Sequence, residues 1–70
     1  MFLCSQDRYC VINLDNVSVI KLSLGIGLVF YFNSSENDSM TLRYADNNEA
    51  MSAIASISAG YSAGISLLHL

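Results

Sequence analysis

Six carboxylates are the most numerous candidates for chemistry in this sequence: Asp7, Asp15, Glu36, Asp38, Asp46 and Glu49. Two carboxyl groups held close in different environments can divide general acid and base roles, and several together can hold a hard cation. The positions argue for another use. Asp7 and Asp15 fall in turns, where an aspartate accepts from its own backbone, and Asp46 and Glu49 have the spacing of a helix N-cap and N3 pair. Glu36 and Asp38 lie in the polar run over residues 33–39. That run offers oxygen ligands but lacks the D-x-[DN]-x-[DN]-G pattern and closing Glu of a calcium loop.

The other reactive side chains are equally without partners. His69 is the only histidine, and a catalytic or ligating role would need groups brought to the last residues of the chain. No serine stands in a G-x-S-x-G elbow. Cys4 and Cys10 are separated by five residues, and Cys-x5-Cys is neither a zinc nor a redox spacing; both are expected to be small buried hydrophobes. Gly25-Ile26-Gly27 lies between two strands and leads into no helix, so it reads as a hairpin and not as a phosphate loop. The expectation is a protein with no catalytic residue, no metal ligand and no cofactor, and hence no enzyme. Lys21 and Arg43 share strand parity with Tyr31 and form a candidate anion contact.

Composition narrows the partners. With 70 residues the chain holds one domain, and a core of that size only marginally offsets the entropy of ordering it. Apolar residues make up 53% and charged residues 13%, about half the usual share, so burial against a further subunit is the expected source of stability. A net charge of −3 with only Arg8, Lys21 and Arg43 as cations argues against nucleic acid and against an electrostatic membrane anchor. The N-terminal residues carry no basic segment followed by an apolar stretch and cleavage site, so the chain is expected in the cytoplasm with reduced thiols.

These residues must be carried by an α+β fold: a bent antiparallel sheet of about five strands and then one C-terminal helix, in a single domain over residues 1–70. The predicted strands cover about residues 1–5, 9–14, 17–24, 26–33 and 40–45. Alternation places Cys10, Ile12, Leu14, Ile20, Leu22, Leu24, Leu28, Phe30, Phe32, Met40, Leu42 and Tyr44 on a core face. The opposite face carries Tyr9, Val11, Val17, Val19, Val29 and Tyr31 beside Asn13, Lys21 and Arg43, which is too apolar for water alone.

The helix begins at Asp46, and Ala50, Ile54, Ile57 and Tyr61 form the stripe predicted to cover the core. No Asp, Glu, Lys or Arg occurs over residues 50–70. Ser52, Ser56, Gly60 and Gly64 form a second row of small residues that lets another backbone approach closely, while the two glycines favour a kink or stop near Gly60. The candidate partner or oligomer interface is therefore Val11, Val19, Val29, Tyr31, Ser56, Gly60 and Gly64, with the tail over residues 61–70 as an oligomer contact. Read as an uninterrupted helix, residues 50–68 are about long enough to cross a bilayer, although five serines dilute them and no flanking Lys or Arg marks an inside.

Two stretches, Ser5-Gln6-Asp7 through Ile12-Asn13-Leu14-Asp15-Asn16-Val17 and Leu42-Arg43-Tyr44 through Glu49-Ala50 to Ile57, carry a resemblance. They are similar to small uncharacterised proteins of Gram-positive bacteria and their prophages. The resemblance implies a bent sheet closed by a helix, similar to a pleckstrin-homology-like half barrel. It transfers no functional residue, and residues 58–70 lie outside it. The function expected is a non-enzymatic homo-oligomer that binds a protein partner, with a phage-encoded inhibitor of a host system as one version. The alternatives are an oligomer that sequesters an anionic ligand at a subunit interface, and a small membrane protein with one C-terminal helix.

Overall fold

The computed structural model describes residues 1–33 and 38–70; Glu36 and most of the predicted polar loop lie outside them. Among the described residues the fold is α+β, in the order β1 (Phe2–Cys4), β2 (Val11–Asn13), β3 (Val17–Ser23), β4 (Gly27–Phe32), β5 (Ser39–Arg43), α1 (Asn47–Ser62) and β6 (Leu67–His69). The strands form two three-stranded sheets, ordered β2-β1-β6 and β3-β4-β5. The expected single antiparallel sheet of five strands is thus corrected to six strands in two sheets, with β6 parallel to β1.

Local chemistry explains the turns. Between β1 and β2, the Asp7 carboxylate accepts from the buried Ser5 hydroxyl and from Tyr9 N–H at 3.0 Å, and Arg8 takes a left-handed φ of 66° to complete the reversal. Those two bonds, that from Ser5 foremost, hold the Asp7 carboxyl below its ordinary value. Between β2 and β3 a 3-10 turn, Leu14–Asn16, is started by Asn13, whose side chain accepts from Asp15 N–H. The β3–β4 hairpin closes with Ile26 N–H donating to Ser23 C=O at 3.1 Å, and Gly25 in the third turn position has φ +78°, a conformation that glycine adopts without a Cβ clash.

Leu3, Ile12, Leu28, Phe30, Leu42, Ala50, Ala53 and Ile57 form one core between both sheets and the helix. Sheet parity is correct for most positions, and two of its failures have a local cause. A register shift between Val17 and Val19 inserts Ser18 as an extra residue, so Val17 turns inward and packs on the core; a bulge reverses the alternation that follows it. Leu24, one residue past the end of β3, is 74% exposed in the turn.

Asp46 caps α1 by accepting from Asn48 N–H at 2.6 Å. The buried stripe is Ala50, Ala53, Ile57 and Gly60, and Tyr61, expected inside, is 72% exposed. The helix runs through Gly60 without a break and stops at Ser62. Gly64, at φ +73°, then reverses the chain, and Ile65 N–H donates to Gly60 C=O at 3.0 Å, a glycine-ended stop. The apolar tail returns as β6 into the chain's own first sheet. No helix among the described residues is long and apolar enough to cross a membrane, because residues 50–68 split into helix, reversal and strand.

Candidate functional site

The register of the second sheet gathers the outer-face residues. Val19 stands opposite Tyr31 and Lys21 opposite Val29 on β3 and β4, while Val29 faces Thr41 and Tyr31 faces Ser39 on β5. The helix covers the other side of this sheet, where Leu28, Phe30 and Leu42 are buried with Ala50 and Ile57. Val19 is 44% exposed, and Val29 and Tyr31 are half-buried by their neighbours on the same face. The Lys21 ammonium lies 5.7 Å from the centre of the Tyr31 ring, a cation–π contact of roughly 0.5–1 kcal/mol at an exposed site.

Arg43 pairs with Gly27 at the far end of β5. It is separated from Lys21 by strand β4 and by one further pair, roughly 12 Å between Cα atoms on sheet spacings. The two cations therefore share a face without converging on one ion, and a common anionic ligand would have to span them.

The other interface candidates lie elsewhere. Val11, 62% exposed, is on β2 of the first sheet, opposite Cys4. Gly60 is filled from within the chain: a Cβ there would meet Met1 Cε at 2.9 Å and Leu68 Cδ2 at 3.7 Å. It cannot serve as a close-approach point for a second backbone, which corrects that expectation. Gly64 forms the helix stop and is followed by β6, so the row of small residues ends as a helix ridge at Gly60. Ser56 stays exposed on α1, beside a depression of about 350 Å³ that also takes in Tyr44, Glu49 and His69. The Tyr44 hydroxyl is buried there with no hydrogen-bond partner among the described residues. Burial, and then the nearby Glu49 charge, push its pKa above the ordinary phenol value.

A larger groove, of about 650 Å³, runs between the edge of β3 that has no paired strand among the described residues and the flank of α1. Asp15, Ser18 and Val19 line one wall, and Ile54, Ser58 and Tyr61 line the other. Nothing in the motif content points to this groove. Its signals are indirect: a seven-residue β-branched strand and a helix with no charge after Glu49.

Among the described residues no three His, Cys, Asp or Glu side chains are grouped to hold a metal ion. Cys4 is buried and Cys10 partly so, both as free thiols, and Cys10 Sγ lies 3.6 Å from Met40 Sδ. Burial first, then Asp7 and Cys4, raise the Cys10 thiol above its ordinary pKa, the reverse of what a nucleophile needs. Compared with protein families, curated proteins and solved structures, the chain matches none.

Proposed function

We propose that this chain is a non-enzymatic interaction protein that forms a small homo-oligomer and binds a protein partner through the outer face of β3, β4 and β5. One observation carries the reading: Val19, Val29 and Tyr31 come together on a sheet face opposite the one that the helix covers. Apolar groups at adjoining positions, rimmed by Lys21, Thr41 and Arg43, have the make-up of an apolar interface centre with a polar edge. A phage-encoded inhibitor acting in the cytoplasm is the concrete version, resting on the resemblance to prophage proteins and a pleckstrin-homology-like half barrel.

The test is light scattering across a concentration range, with capture of partners on immobilised wild-type protein and on Val29→Lys. A stable multiple of 7.6 kDa and a captured protein lost in the variant are expected. A monomer at all concentrations that captures the same proteins as the variant refutes the reading.

The shared face of Lys21 and Arg43 favours a second reading, an oligomer that sequesters an extended anionic ligand at its interface. Native mass spectrometry of the purified protein separates the two, since a retained anionic metabolite belongs only to the second.

A further inference from the structure

We draw no further inference here: the strongest candidate, the depression of about 350 Å³ between α1 and the end of β6 that takes in Glu49, Ser52, Ser56 and His69, carries nothing, because the unpartnered Tyr44 hydroxyl that would point to a ligand is buried out of reach of one and nothing in the structure shows what covers the rest.

Discussion

Replacing Gly27 by alanine should be far more damaging than replacing Gly25, although only Ile26 separates the two in the same hairpin. Gly25 has φ +78° and open space around the position of a Cβ, so alanine there costs only the left-handed backbone, about 1–2 kcal/mol. Gly27 has φ +146°, and its Cβ would collide with the Leu42 carbonyl oxygen and sit 3.0 Å from Tyr44 N and 3.1 Å from Arg43 Cα. These are backbone atoms of the neighbouring strand, which cannot rotate away. Strain of about 1–3 kcal/mol is joined by loss of ladder bonds where β5 must part from β4, including Tyr44 N–H to Ile26 C=O, each about 1 kcal/mol. The total is about 4 kcal/mol. Chains of this length have roughly 3.5–10 kcal/mol to lose. Urea denaturation followed by far-UV circular dichroism should show Gly25→Ala as a folded protein with a lowered midpoint, and Gly27→Ala as largely unfolded or shifted by more than twice as much. Equal shifts would show that β5 does not approach Gly27 in this way, and would refute the β4–β5 register on which the outer face depends.

Gly60→Ala should be neutral or stabilising by up to about 1 kcal/mol, because helix propensity favours alanine and the only close atom is the flexible end of Met1; thermal melting checks the sign. Asp46→Ala should destabilise by about 1 kcal/mol through loss of the N-cap, read as a lower urea midpoint. Stability should hold on a plateau in pH and fall at both ends. Asp7 has a lowered folded pKa, so its contribution is present above its ordinary value of 3.8 and is lost as pH falls below it. Cys10 and Tyr44 have raised folded values, so theirs is present below 9.0 and 10.0 and is lost as pH rises past them. Urea midpoints against pH read both limbs, and a midpoint that keeps rising above pH 10 would contradict the burial of these groups. The Cys10 thiol should also react with a maleimide more slowly than a free thiol at pH 8, and a rate equal to that of the unfolded chain would show that it is not protected.

What the sequence reveals and what it hides follow from the range of the forces involved. Turns at Asp7, Asp15 and Gly25, and the cap at Asp46, act over two or three residues and are legible as written, whereas Asn13, expected within a strand, starts the second turn. The pairing of β6 with β1 joins Leu67 to Phe2, and no local pattern announces a contact between opposite ends of a chain. The inward turn of Val17 depends on one bulged residue, which propensity does not report. Tyr61 has the helical spacing of a core residue, but the sheet beneath ends at β3 before reaching it. The outer-face cluster was readable from alternation, and the groove beside it was not, because a groove is defined by where a sheet stops.

The parallel pairing of β1 with β6 also dictates the order in which the molecule assembles. Closing the three-residue β3–β4 turn costs little chain entropy, whereas bringing Phe2 beside Leu67 closes nearly the whole chain. The length-dependent part of that difference is about 2.7 kcal/mol, roughly a hundredfold in the chance of encounter. Folding should therefore nucleate on the β3–β4–β5 hairpins with α1 and finish when β6 seats against β1. Substitutions in Leu28 or Phe30 would then slow folding, and substitutions in Leu68 would chiefly speed unfolding. The first sheet acts as a clasp that locks a structure already formed, so its breaking sets how long the native state survives.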